Sequence, residues 1–289
     1  MAPRVRLAVP LVPSVEEELR RLFDVRANLE GAEGAVTMPT DWIDAAFFDR
    51  AGPQLRIVAQ HSVGLDNVDL AETERRGITV SSTPGVLTEA TAELTIALML
   101  ALLRRVAEGD RLIRRRETWI WQPNFMLGEG LAGKTLGVVG MGRIGTAVAR
   151  LAEAHGMRVQ AMRGLDGVEE IDVLTLHCPR PADTRHLVDE AGLARMKPTA
   201  VLVNAARGLI VDEAALARAL RDGVIAGAAL DVFEREPEVT DALLELDNVV
   251  LVPHLGSATR ETREAMGMLC VDALRAVLLE GRRPSNAVG

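Results

Sequence analysis

Three polar side chains stand just past apolar runs that read as buried parallel strands. Residues 201–204 lead into Ala205-Ala206-Arg207-Gly208, residues 228–231 into Val232-Phe233-Glu234-Arg235-Glu236-Pro237, and residues 249–252 into Pro253-His254-Leu255-Gly256-Ser257. Open parallel sheets bind ligands at the carboxyl ends of their strands. An arginine, acids and a histidine arriving at one such edge can form a carboxylate clamp and an acid/base pair. A guanidinium grips a carboxylate through two charge-assisted bonds, and an imidazole can pass a proton near neutral pH. Arg207, Glu236 and His254 are the candidate catalytic residues. Any one of them alone is more often a surface residue, a turn acid or a helix cap.

A second constellation lies upstream. Gly140-Met141-Gly142-Arg143-Ile144-Gly145 has the spacing G-x-G-x-x-G, between an expected strand at 135–140 and an expected helix at 143–155. That context points to a dinucleotide. Gly140 permits a tight turn, Gly142 lets a pyrophosphate approach the backbone, and Gly145 lets helix and strand pack closely. The first-turn N–H groups, at Arg143 and Ile144, face the phosphates with the positive end of the helix dipole. The acidic residue expected about 20 positions on, which would hold the ribose of NAD, is absent. Arg163 stands there, with Arg158 on the same strand. Arg163 reads either as a solvated loop residue or as a contact for a 2′-phosphate. The cofactor expected is NADP or NAD, with NADPH favoured.

The elements that must position these residues alternate strand and helix, the pattern of parallel α/β layers. Strands are expected at 4–10, 25–29, 35–38, 55–60 and 78–81 in a first unit. Others are expected at 135–140, 158–162, 172–177, 200–204, 227–231 and 249–252 in a second. Ser14 is expected to cap the first helix, and helices are expected at 68–76, 88–107, 143–155, 212–222 and 260–279. The last has an apolar face that should pack back on the first unit, making that unit discontinuous. Two connections are short for parallel neighbours, which take roughly a dozen residues or more. Only Glu30 to Gly34 separate two expected strands, and only eight residues lie between Arg163 and Asp172. Two shortfalls in one chain favour segments omitted from the string over two lost crossovers.

Composition bounds the partners. The 289 residues carry a formal net charge of −8 and no tyrosine, and Lys134 and Lys197 are the only lysines, so a nucleic-acid surface is not expected. The basic run 111–116 reads as a solvated helix face. Cys178 and Cys270 make neither a disulfide framework nor a zinc site, and no metal is expected. Residues 1–9 lack the apolar core of a signal peptide, and the apolar stretch 94–103 is half a membrane span. A soluble cytoplasmic protein without membrane contact is expected.

The chain resembles the D-isomer-specific 2-hydroxyacid dehydrogenase family along nearly its whole length. The resemblance is carried by 62–69 (Ser-Val-Gly-Leu-Asp-Asn-Val-Asp), 83–93, the 140–145 fingerprint, 204–208, 230–237 and 253–259. Residues 85–90 and Trp121-Gln122-Pro123 look most like glyoxylate/hydroxypyruvate reductases. The resemblance implies a Rossmann-type, doubly wound nucleotide-binding domain at 87–257. It implies a discontinuous, flavodoxin-like substrate domain at 1–86 and 258–289. It implies hydride transfer between NAD(P)H and a small 2-keto acid, with Arg207, Glu236 and His254 as catalytic residues. Arg207 and His254 would also touch substrate, and the N–H groups around Val63 and Gly64 would hold its carboxylate. Cys178, Ala205, Ala206, Asp231 and Gly256 match positions that line the cofactor. In similar reductases a tryptophan from this segment enters the neighbouring subunit's active site. Trp121 matches best, in a homodimer, although ordinary packing of a dimer arm explains it equally. Other uses of the framework are dehydrogenation of phosphoglycerate or lactate, and NAD sensing by a corepressor-like binding protein.

Overall fold

Short aliphatic runs without polar alternation should form strands covered on both faces, and they do. The structure, a computed structural model, describes residues 1–179 and 184–288. The chain divides into two compact units, Met1–Leu87 with Ala258–Gly289, and Thr88–Ser257.

The first unit holds β1 (Arg4–Leu7), β2 (Asp24–Arg26), β3 (Gly34–Thr37), β4 (Ile57–Gln60) and β5 (Thr79–Ser81). All pair in parallel in the order β2-β1-β3-β4-β5, the flavodoxin-like arrangement. Its helices are α1 (Pro13–Leu22), α2 (Ala45–Ala51), α3 (Leu70–Arg76) and the C-terminal helix Arg260–Leu278. That last helix packs on α1, β3 and β4, burying Cys270, Val271, Leu274 and Leu278 among Val5, Val15, Leu19 and Ile57. Ser14 does not cap α1. Proline at the first helical position needs no N–H and presets φ, so α1 starts after Val12 without a side-chain cap. The Ser14 hydroxyl instead donates to Glu264 at 2.8 Å.

The second unit carries a parallel sheet of β6 (Thr135–Val139), β7 (Arg158–Met162), β8 (Val173–Leu176), β9 (Val201–Asn204), β10 (Gly227–Leu230) and β11 (Val249–Leu251). Its order is β11-β10-β9-β8-β6-β7. The helices are α4 (Thr88–Leu103), α5 (Val106–Arg114), α6 (Arg143–Ala154), α7 (Glu190–Arg195), α8 (Glu213–Arg221) and α9 (Asp241–Leu244). The expected helix 88–107 is thus two helices, broken where Arg105 takes a left-handed φ of 54°. α4 is apolar on most sides because it lies between α6 and strands β9, β10 and β11. The basic run straddles the end of α5 rather than forming one helix face.

Both short connections close with the residues present. β2 is three residues long, and Arg26 pairs with Arg6 while Gly34 pairs with Val5. The chain therefore returns only about one residue along the sheet, ~3 Å, while crossing β1 over two strand spacings, ~10 Å. In the second unit, Met162 pairs with Val139 and Val173 with Leu136. A single 3₁₀ turn at Val168–Glu170 makes that crossing, and Val168 and Ile171 are fully buried in the place a crossover helix would cover. A strand order reading 2-1-3-4-5-6 within this unit follows, with no strand beyond β7 among the described residues.

Candidate active site

The sheet order reverses between β6 and β8, and a crevice for ligands opens outside the carboxyl ends of strands at such a point. β6 ends in the glycine fingerprint and β8 in His177-Cys178. Gly140 takes a φ of 97°, and a Cβ there would meet the Cys178 backbone nitrogen at 2.5 Å, so only glycine lets the two strand ends meet. Gly142 is the N-cap of α6 and no side chain caps the helix. A Cβ on Gly142 would meet nothing within 4 Å. Open space before uncapped N–H groups at a helix N-terminus fits a pyrophosphate. Burial pushes the Cys178 thiol up, so it stays a neutral wall here.

β9 ends at Asn204, which is 1% exposed. Its side-chain oxygen accepts the Ala206 N–H at 3.1 Å and its amide donates to the Arg207 carbonyl at 2.9 Å. Asn204 thus ties down the turn that presents Ala205, Ala206 and Arg207, and the Arg207 guanidinium donates to the Ala206 carbonyl at 2.7 Å. The next residue, Gly208, runs against the Phe233 backbone, where any Cβ would overlap it. That approach joins the arginine turn to the loop after β10.

The loop after β10 carries Glu236. One carboxylate oxygen accepts the Phe233 N–H at 3.0 Å, and the other lies 2.8 Å from His254 Nδ1. Burial pushes the Glu236 carboxyl up. The hydrogen bond and charge of His254, the Phe233 N–H and the Arg207 charge outweigh it and hold the group below the ordinary carboxylate range. A second clasp holds the same loop. Buried Glu213, at the start of α8, accepts the Glu234 N–H and the Thr240 hydroxyl, while Glu234 accepts the Glu213 N–H at 3.0 Å.

His254 follows β11 with a left-handed φ of 54°, a conformation uncommon away from glycine. Asp231 holds the segment. It is 1% exposed, and its two oxygens accept the Leu255 N–H at 2.5 Å and the Gly256 N–H at 2.9 Å. Burial pushes this carboxyl up, against the pull of the Leu255 N–H, the His254 charge and the Gly256 N–H. The structure therefore brings Arg207, Glu236, His254, Asp231, Gly256, Ala205 and Ala206 to one strand-end edge.

Other expected residues stand apart. Val63 and Gly64 lie in the first unit, in a turn after β4 where neither N–H has an acceptor among the described residues. Arg163 directly follows β7, exposed and without an ion pair among the described residues. Arg158 is at the opposite end of that strand, where it donates to Thr135 at 3.0 Å, so sharing the strand does not bring it to the ligand edge. Trp121 is 81% exposed.

Comparison with known proteins decides the family. Residues 96–256 match the model of the NAD binding domain of D-isomer specific 2-hydroxyacid dehydrogenases. A glyoxylate reductase of Aeropyrum pernix is 44% identical over 99% of this chain and 96% of its own length. The chain belongs to this family. A glyoxylate reductase of Korarchaeum cryptofilum is 47% identical to the dehydrogenase over 90% of the chain and 84% of that relative. Among solved structures, a protein of Thermus thermophilus superposes with a TM-score of 0.94 at 43% identity, covering 99% of this chain and all (100%) of that one. An NADPH-dependent glyoxylate/hydroxypyruvate reductase of Sinorhizobium meliloti, solved with NADP and malonate, gives 0.86 at 35% identity over 100% and 97% of the two chains. The dehydrogenase is an NAD(P)-dependent oxidoreductase with a Rossmann-type domain. Among its described residues, no helix is long and apolar enough to cross a membrane.

Sequence reasoning missed the groups that hold the dehydrogenase's loops. Asn204 was legible only as a strand end, and Glu213 and Glu234 as helix and turn acids. Their partners lie up to 27 residues away, as with Glu213 and Thr240. A buried acid at a helix start, followed some twenty residues later by an acidic turn, is the one local signal for that clasp.

Proposed function

We propose that this dehydrogenase reduces glyoxylate to glycolate and hydroxypyruvate to D-glycerate in the cytoplasm. Likeness to proteins named glyoxylate reductase across nearly the whole chain supports the substrate class. The 2.8 Å contact between His254 and Glu236 carries the mechanism. The Glu236 carboxylate accepts Nδ1–H and so leaves Nε2 as the proton-delivering atom. Arg207 pairs with the substrate carboxylate and polarises the keto oxygen. As that oxygen becomes an alkoxide, His254 donates its Nε2 proton and Glu236 stabilises the imidazolium before it gives the proton up. The reduced nicotinamide, when bound, supplies the hydride to the keto carbon.

The N–H groups of Val63 and Gly64, without an acceptor among the described residues, hold the substrate carboxylate. Gly140, Gly142, Arg143, Ile144 and Gly145 hold the pyrophosphate. Cys178, Ala205, Ala206, Asp231 and Gly256 line the nicotinamide. Arg163, exposed after β7, binds the 2′-phosphate of NADPH, the preferred cofactor. Residues 1–86 with 258–289 act as the substrate domain, and 87–257 as the cofactor domain. Val106, Ile113, Trp119, Ile120, Trp121 and Leu127 are all exposed. This apolar set supports a symmetric homodimer in which Trp121 reaches the partner's substrate. Light scattering should give twice the chain mass at micromolar protein. A substrate panel of glyoxylate, hydroxypyruvate, pyruvate and 3-phosphohydroxypyruvate, run with both cofactors, tests the reading. The first two should be preferred.

A further inference from the structure

The turn that carries Val63 and Gly64 is wired to a buried chain of side chains in the first unit. Thr37 and Gln60, the last residues of β3 and β4, are fully buried, and Asn67 is 9% exposed. The Thr37 hydroxyl donates to the Gln60 side-chain oxygen at 2.6 Å. The Gln60 amide donates to the Ser62 hydroxyl at 3.1 Å and to the Asn67 oxygen at 3.0 Å. The Ser62 hydroxyl in turn donates to the Gly64 carbonyl at 2.6 Å. The Asn67 amide donates to the carbonyls of Met38, at 3.1 Å, and Asp41, at 2.6 Å. The Ser62 carbonyl accepts the Thr83 N–H at 2.9 Å, which anchors the turn on its other side.

Every amide hydrogen of Gln60 and Asn67 is therefore committed, and the direction of each bond follows. Gln60 must donate to Ser62, because its oxygen is taken by Thr37. Ser62, accepting from Gln60, spends its own proton on Gly64. The network is buried at Thr37, Gln60 and Asn67 and half-buried at Ser62, and its satisfied bonds favour one geometry, since rearranging the buried members strands a polar group away from water. What it fixes is the peptide between Ser62 and Gly64, where two successive N–H groups have no acceptor among the described residues. Adjacent free N–H groups held in a turn make an anion-binding concavity. Nothing in β4 itself requires a glutamine at its buried end, where an aliphatic residue would pack without a polar cost.

We infer that Gln60 and Ser62 are positioning residues for the substrate carboxylate, acting through the Val63 and Gly64 N–H groups. The inference rests on the proposed role of those two amides. Neither side chain touches substrate. Each sets the tilt of the peptides that do, so loss of either should weaken substrate binding and leave the chemical step at saturation.

The test is steady-state kinetics of Gln60→Met, which is similar in volume and uncharged, and Ser62→Ala, the milder change. Oxalate inhibition and NADPH binding by fluorescence are measured alongside. KM for glyoxylate and Ki for oxalate should rise together by about tenfold in Ser62→Ala, the scale of one charge-assisted hydrogen bond. Turnover should stay within about threefold and NADPH affinity should be unchanged, because the dinucleotide fingerprint lies in the other unit. Ser62→Thr, which keeps the hydroxyl, should restore KM. If Gln60→Met does not fold, the two Ser62 variants decide. An unchanged KM and Ki in Ser62→Ala, or a loss confined to turnover, overturns the positioning role. A wild-type enzyme that reduces no 2-keto acid overturns the functional reading instead.

Discussion

His254 Nδ1 lies 2.8 Å from one oxygen of Glu236 while the other oxygen of Glu236 accepts the Phe233 N–H at 3.0 Å. The carboxylate is thus pinned by the backbone of its own loop before it meets the imidazole. Held below 4.5 by His254, Phe233 and Arg207 against the upward push of burial, it is ionised throughout the neutral range. Glu236→Gln keeps an oxygen for Nδ1–H and removes the charge. Turnover should fall by about tenfold or more, with the substrate KM little changed, because the lost charge matters most as the imidazolium forms. Kinetics at saturating glyoxylate check this.

Gly208 is the point where the arginine turn and the Glu236 loop touch. A Cβ there would overlap the Phe233 backbone, and backbone cannot rotate aside as a side chain can. Gly208→Ala should cost about 1–3 kcal/mol of stability, as overpacking does. It should also lower kcat more than NADPH affinity, since it displaces Arg207 and Glu236 together. Urea unfolding and cofactor fluorescence separate the two effects.

Much of this framework was legible because the strands that lead into the site are short aliphatic runs closed by a polar or glycine residue, as at 201–204 and 227–230. What escaped depends on distant partners or on short range. Residues 45–51 make only two turns of helix and carry Phe47-Phe48, which read as strand or helix alike. The break at Arg105 has no glycine or proline to announce it. The two bare crossovers depended on strand register, and register is not visible in a string. The 140–145 fingerprint was plain from spacing alone. The pairing of Glu236 with His254 followed from their strand-end positions and the family resemblance, and it is a 2.8 Å contact across 18 residues of sequence.

In the proposed function, cofactor choice turns on Arg163, exposed at the end of β7 where an acid would hold a ribose. NADPH should be favoured over NADH in kcat/KM by about tenfold, the lower end for a partly screened charged hydrogen bond. Arg163→Asp should reverse the preference. Equal efficiency with both cofactors in the wild type, or a preference that survives the substitution, contradicts this role.

His177 links acid pH to stability. Burial lowers its pKa from 6.5 to about 4, with Nε2 on the Thr175 hydroxyl at 2.9 Å and Nδ1 enclosed without a partner among the described residues. The unfolded chain binds a proton at a higher pH than the folded one, so stability falls as pH drops from 6.5 to about 4 and levels off below. Full enclosure would make this about 3 kcal/mol. The residue is only half-buried by surface area, which reduces it to about 1–2 kcal/mol. Burial likewise lowers the pKa of His61, with the charge of Arg263 adding to the shift, in the same direction. Urea unfolding of the wild type and His177→Asn at pH 7 and near pH 4 should show a shallower loss in the variant.

The most direct measurement is the initial rate of NADPH oxidation with glyoxylate, for the wild type and His254→Ala side by side. The wild type should show saturable, glyoxylate-dependent oxidation. His254→Ala, still binding NADPH, should turn over about a hundredfold more slowly or worse, the loss of a general acid. A wild type that oxidises no NADPH with glyoxylate, or a His254→Ala enzyme running at the wild-type rate, would contradict the account.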